Sequence, residues 1–185
     1  MIVNEYGLLT CVLEHHKNLE ISTTQFYRSQ SFTLGEQLFL YGGLAIVYVF
    51  GLFIPLMEND AAQHAVMAMR MVQENDFLHL FRGEIPYLDK PHMHFWLSAF
   101  SMKLFGINHI AYRLPAVLFT ILGAYSCFRL AKYWYTHFVG YIAALVFLST
   151  QAIFLANHDV RTDAVLTGAT IFGFWQLVYY IDTLN

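Results

Sequence analysis

Between Glu36 and Glu58 the chain runs for 21 residues without a charge. That stretch, Gln37 to Met57, limits what the rest can be. As a helix it rises about 30 Å, the thickness of the hydrocarbon core of a bilayer. A helix also satisfies its own backbone hydrogen bonds, which lipid demands. Pro55 stands near the end, where it can finish the segment without breaking its middle. Three more apolar stretches read the same way, as crossings over about 114–131, 135–157 and 164–181. Arg113, Arg129 and Lys132 bound the second crossing with stems long enough to snorkel, and Asp182 closes the fourth.

Composition agrees. The chain is 57% hydrophobic and 12% charged, against about 25% charged in soluble domains. Its 17 Phe and 12 Tyr suit lipid and the membrane interface. The reading is an all-α integral membrane fold with about four transmembrane helices. A tail over 1–36 lies outside the bilayer and a membrane domain spans 37–185. The formal net charge is -3 with no basic run, so nucleic acid is excluded as a partner. Cys11 and Cys127 form no disulfide framework and no cysteine metal site.

The long connection over 58–113 differs from the crossings, because charges return and apolar residues become patterned. Asn59 or Asp60 can cap a helix running to about Asn75. Along it Ala62, Val66, Met69 and Val72 recur at helical spacing, a stripe that suits either the membrane surface or packing against other helices. Arg82-Gly83 marks a turn. Next comes Pro86-Tyr87-Leu88-Asp89-Lys90-Pro91, an acid and a base on a loop stiffened by two prolines. Met93 to Phe105 is too short to span and reads as an interfacial helix ended by Gly106. With four crossings, the 58–113 connection and the 158–163 turn share one side of the membrane. Counting basic residues does not orient them: Arg28, Arg129 and Lys132 on one side balance Arg70, Lys103, Arg113 and Arg161 on the other.

Three acids therefore gather at one membrane face: Asp60, Asp89 and Asp163. An ionised carboxylate there can take a proton from an attacking hydroxyl. The ordinary alternative for Asp60 is a helix cap. His64 stands one helical turn after Asp60 and can orient it. Lys90, Arg113 and Arg161 can neutralise a phosphate at headgroup level. Arg161 and Asp163 can equally be a satisfied pair in a tight turn. Asp89, His92 and His94 supply oxygen and nitrogen ligands within six residues for a divalent metal ion, although not at helical ligand spacing.

Glu58-Asn59-Asp60-Ala61-Ala62-Gln63, the Pro86–Pro91 loop with Phe95-Trp96, Phe105-Gly106, Arg113-Leu114-Pro115 and Arg161-Thr162-Asp163-Ala164 occur in a telling order. Together they resemble the N-terminal portion of GT-C type membrane glycosyltransferases. The nearest patterns are bacterial aminoarabinose lipid A transferases and the dolichyl-phosphate-mannose protein mannosyltransferase-like family. The resemblance implies a partial GT-C fold with interfacial amphipathic helices in the first outer loop. It further implies inverting transfer of a sugar from a polyprenyl-phosphate donor to a lipid, glycan or protein acceptor. The protein would sit in the plasma (inner) membrane, with a cytoplasmic N-terminus and an extracytoplasmic site. On this pattern Asp60 matches the general base and Asp163 a second functional acid. Asp89-Lys90 match the acid–lysine pair near the donor phosphate, and in some members that acid helps hold a metal ion. The chain departs from the pattern at Ala61, at Gln63 and at Lys90-Pro91-His92, where the family has Lys-Pro-Pro. Family members have many more crossings, so the chain reads as an N-terminal fragment or a shortened relative, inactive alone. Two rival readings are a non-catalytic membrane module pairing with a partner subunit, and a small transporter. The transporter fits less well, because the acids sit at one face and not at the midplane.

Overall fold

The computed structural model describes residues 31–54 and 59–184. These form helices α1 (Leu34–Leu52), α2 (Asn59–Glu74), α3 (His92–Phe105), α4 (His109–Trp134), α5 (His137–Ser149), α6 (Gln151–His158) and α7 (Thr162–Leu184). A single hairpin, β1 (Phe81–Arg82) and β2 (Ile85–Pro86), interrupts them. The fold is all-α, and α1, α4 and α7 are each long and apolar enough to cross a membrane. Helices α5 and α6 make a fourth span if the bent pair is counted as one. This is an integral membrane protein. Most of the expected tail, residues 1–30, lies outside the described residues.

Local chemistry explains the helix ends. Thr33 and Glu36 form a reciprocal capping box that starts α1 three residues before the charge-free stretch. Asn108 caps α4 by accepting from the Ala111 amide at 2.8 Å, so α4 begins well before the expected residue 114 and runs through Pro115. Asn75, with φ +53, takes the left-handed conformation that ends α2. Gly83, with φ +63, takes the first corner of the hairpin turn, a position that needs positive φ.

The third crossing is not one helix. It bends by 51° between α5 and α6, at Thr150. No proline or glycine stands there. Instead the Ser149 and Thr150 hydroxyls both donate back to the Val146 carbonyl, at 3.1 and 2.7 Å, a bonding that bends helices. The Tyr48 hydroxyl of α1 donates to the Leu148 carbonyl at 3.0 Å. A second tyrosine of α1, Tyr41, donates to the Tyr141 carbonyl of α5 at 2.8 Å. Hydroxyls thus supply the donors that lipid cannot.

Helix α4 is the centre of the bundle, packed on α5 and α7. Gly168 lets α7 approach so closely that a Cβ there would stand 2.1 Å from the Phe119 carbonyl oxygen. Small residues at such crossings are how membrane helices gain packing without a hydrophobic drive. Thr120 and Asn157 join α4 to α6 through a buried side-chain pair, with Asn157 Nδ2 donating to Thr120 Oγ1 at 2.8 Å. At one end of the bundle, Ala68 of α2 and Met102 of α3 share a core with Ala111, Tyr112 and Ala116 of α4. Val160 and Ala164, at the α6–α7 turn, complete that core. The 58–113 connection and the 158–163 turn therefore meet at the same end.

The stripe expected on α2 lies one step off the buried face. Ala61, His64, Met67, Ala68 and Met71 are buried, whereas Val66 is 55% exposed. Ala62, Val66 and Met69 instead line a groove of about 360 Å³ shared with Met102, Ile107 and Tyr112. Helix α3 is apolar on its outside. Met93, Trp96, Phe100 and Leu104 are exposed, while His94, Ser98 and Ser101 point inward. The inward face also carries Phe95, Ala99 and Met102, so both faces of α3 are largely apolar, which suits a helix packed on the bundle and lying in the membrane interface.

Substituting Gly168→Ala is expected to destabilise the bundle by about 2 kcal/mol or more, since backbone must move. Gly35→Ala, with nothing within 4 Å of its Cβ, serves as the near-neutral control. Thermal unfolding in detergent separates the two.

Candidate functional site

The end of the bundle where the loops meet carries the expected acids. Asp60 lies exposed in the first turn of α2, and His64, one turn on, is buried. The hairpin carries the chain back over this helix. Arg70 of α2 donates from Nη1 to the Gly83 carbonyl and pairs with Glu74 at 2.7 Å, pinning the hairpin tip. The Tyr87 amide donates to the Leu80 carbonyl at 2.7 Å, and the Tyr87 ring turns inward. Asp89 and Lys90 follow on the exposed loop before Pro91, whose extended backbone starts α3.

Rings organise this corner. His64 lies 5.3 Å from Phe95, 6.3 Å from Tyr87 and 6.3 Å from His94, centroid to centroid. Burial holds the His64 imidazole below its ordinary pKa; the Asp60 carboxylate opposes the shift and the Lys90 ammonium adds to it. Burial likewise raises Tyr87, helped by Asp89 and Asp60 and opposed by Arg82. Asp60, His64, Tyr87, Asp89 and Lys90 therefore share one electrostatic neighbourhood. Asp163 is not among the groups acting on either ring. It stands exposed in the first turn of α7, a position that also favours a carboxylate at a helix start.

Three expectations need correction. Arg113 is 1% exposed and is not displayed towards a phosphate. Its Nε donates to the His158 carbonyl at 3.0 Å, and its Nη1 donates to the carbonyls of Leu52, at 3.0 Å, and Ile54. These oxygens belong to the ends of α6 and α1, where carbonyls lack helical partners. Arg161 pairs with Asp159, at 3.6 Å, and among the ion pairs of the described residues none joins it to Asp163. The proposed metal ligands do not converge: among the described residues, no three His, Cys, Asp or Glu side chains form a group able to hold a metal ion. The reason is helical geometry. His92 and His94 are two residues apart on α3, which turns them to different faces. His92 lies beside Trp96 at 5.8 Å, whereas His94 is 3% exposed and packs on Tyr112 at 6.1 Å. Asp89, on the loop, is exposed. These residues do not fit a bound ion.

Sequence reasoning passed over Tyr87, although it stands inside the loop that was singled out. A tyrosine between a proline and an acid–lysine pair was the available signal. It also passed over Asn157, treated only as the end of an apolar run, although an amide within a span is costly unless bonded.

Two outcomes are expected from this geometry. Arg113→Met leaves helix-end carbonyls without donors and should cost about 3 kcal/mol or more in unfolding experiments, with Arg113→Lys recovering only part. A stable Arg113→Met protein would return Arg113 to a surface role. Burial, with the His64 ring adding, pushes His94 down to about 4. An unfolded histidine titrates near ~6.5, so the unfolded chain binds the proton first. Stability from this group is present above pH ~6.5 and is lost as pH falls towards ~4, by on the order of 3 kcal/mol. Thermal unfolding of His94→Phe against wild type across pH 7.5 to ~4.5 isolates the effect; parallel curves would refute it.

Comparison with known proteins follows the same chain. The pattern describing the dolichyl-phosphate-mannose-protein mannosyltransferase family matches residues 89–184, beginning at Asp89 of the loop, so Asp60 and His64 precede it. The chain is 24% identical over 144 residues to the undecaprenyl phosphate-alpha-4-amino-4-deoxy-L-arabinose arabinosyl transferase of Photorhabdus laumondii, covering 72% of this chain and 26% of that protein. With transferase 2 of Proteus mirabilis the identity is 26% over the same shares. With the Yersinia pestis transferase it is 28% over 129 residues, 66% of this chain and 23% of that one. The chain thus spans about a quarter of the length of these curated relatives. No solved structure matches. With its match running over more than half of the residues, the chain belongs to the dolichyl-phosphate-mannose-protein mannosyltransferase family.

Proposed function

We propose that this chain forms the acid-and-lysine end of a membrane glycosyltransferase that moves a sugar from a polyprenyl-phosphate donor to a lipid acceptor. The observation that carries the reading is the gathering of Asp60, His64, Tyr87, Asp89 and Lys90 at one end of a membrane bundle, in a chain of this family. Relatives named for undecaprenyl phosphate aminoarabinose transfer support that class of donor.

In this reading the acceptor hydroxyl attacks the anomeric carbon as its proton passes to the Asp60 carboxylate. The new C–O bond forms while the bond from that carbon to the phosphate oxygen breaks, its electron pair leaving with the polyprenyl phosphate. Attack from the face opposite the leaving group inverts the anomeric centre. Lys90 meets the charge gathering on the leaving phosphate. Asp89 adds a second carboxylate beside Lys90 on the same loop, and the buried His64 keeps the Asp60 end of α2 seated. The site faces the extracytoplasmic side of the inner membrane, which places α1 entering from the cytoplasm.

Membranes carrying the protein, supplied with a polyprenyl-phosphate-linked sugar and a lipid acceptor, test the assignment. Asp60→Asn is expected to lower kcat by about 10²- to 10⁴-fold with little change in donor affinity. Lys90→Met is expected to weaken binding of the polyprenyl phosphate about 10-fold or more, a readout that needs no turnover. Unchanged transfer by Asp60→Asn would remove it from the mechanism.

A further inference from the structure

At the end of the bundle opposite Asp60, the last turns of α4 and α7 enclose a recess of about 360 Å³. These helices run parallel, because α5 and α6 return the chain between them. Arg129, Lys132, Tyr133, Trp175 and Asp182 line the recess. The Arg129 guanidinium lies 5.0 Å over the Trp175 ring and 5.7 Å over Tyr125, whose hydroxyl accepts from Nη1 at 2.8 Å. Two rings hold the fork in place while most of its N–H groups remain available. Lys132 stands one turn on, exposed, its Nζ 5.9 Å from the Phe128 ring. The Asp182 carboxylate accepts from the Tyr133 hydroxyl at 2.8 Å. Among the described residues, no carboxylate lies within ion-pair distance of Arg129 or Lys132.

Depth tells what can fill it. Helix α4 has 26 residues, about 39 Å, longer than a ~30 Å hydrocarbon core, so an end of it reaches into the headgroup layer. Tyr133, Trp134 and Tyr179 around the recess are the residue types of that layer. The anion abundant at that level is a lipid phosphate.

We propose that this recess binds the phosphate of an anionic phospholipid from the leaflet opposite the Asp60 end. Arg129 takes the phosphate oxygens through its fork, Lys132 supplies the second charge, and the aromatic rings flank the glycerol backbone. Two cations against one carboxylate leave the recess a net positive charge, which favours an anionic lipid over a zwitterionic one. Asp182 repels a headgroup carboxylate and can accept from headgroup hydroxyls, so a phosphatidylglycerol-type headgroup fits best. The site is independent of the glycosyl-transfer reading and stands or falls without it.

The test uses the full chain in phosphatidylcholine nanodiscs, with phosphatidylglycerol titrated in and tryptophan fluorescence followed. A saturable change is expected that disappears in Trp175→Phe. Its apparent Kd should rise at least 10-fold in Arg129→Gln and several-fold in Lys132→Gln, where the exposed side chain cannot disturb folding. Further phosphatidylcholine and inorganic phosphate should produce no saturable response. Binding of phosphatidylglycerol undiminished in the double variant would overturn the proposal, as would an equal, Arg129-dependent response to inorganic phosphate.

Discussion

A guanidinium buried between helix ends holds the acid-bearing end of the molecule together. A helix entering this region ends with carbonyl oxygens that have no partner of their own, and nearby lipid supplies no donor. Arg113 meets that need for two helices at once, reaching the carbonyls of Leu52 at the end of α1, of Ile54 just beyond it and of His158 at the end of α6. Gly51 allows the same junction to close: a Cβ there would fall 1.8 Å from the His158 imidazole. From this knot α4 runs through the bundle, and Tyr112, beside Arg113, reaches the Ala61 carbonyl at 3.4 Å, joining α2 to it. The start of α2, which carries Asp60, is thus tied through Tyr112 to the residue next to an arginine whose guanidinium is taken up by helix-end carbonyls.

The turn beside this knot is strained. Val160 has φ +49 although it is β-branched, a conformation such residues rarely adopt. Its side chain is fully buried among Tyr112, Ala156 and Ala164, and that burial offsets the strain. The Arg161 amide closes the turn on the Ala156 carbonyl at 3.0 Å. The result sets Asp159, Arg161 and Asp163 close together at the bundle end, with Arg161 drawn to Asp159.

The two ends of the bundle use charge differently. At one end acids and a lysine surround the rings of His64, Tyr87 and His94, whose protonation is shifted by burial. At the other, cations rest on aromatic faces, with no carboxylate among the described residues within ion-pair distance.

Much of this was legible from local pattern. Apolar runs pointed to helices long enough to cross, three of which the fold forms outright, because length and apolarity alone decide whether a helix can cross. Prolines at 86 and 91 placed Asp89 and Lys90 on a loop, and Asp60 with His64 on one helix followed from spacing. What the pattern could not supply was direction. Both faces of helix α3 carry apolar residues, and of the two histidines expected to bind metal His94 is turned inward while His92 lies beside Trp96. Arg113 looks like a phosphate ligand until carbonyls 45 to 61 residues away occupy it. The bend at Thr150 needed Ser149 and Thr150 hydroxyls bonding backward and Tyr48 arriving from another helix. Sequence determined which segments enter the bilayer, since that is a property of each segment alone. Only the tertiary structure decided which polar groups are consumed inside and which remain for a ligand, since each hydrogen bond depends on a partner brought from elsewhere in the chain.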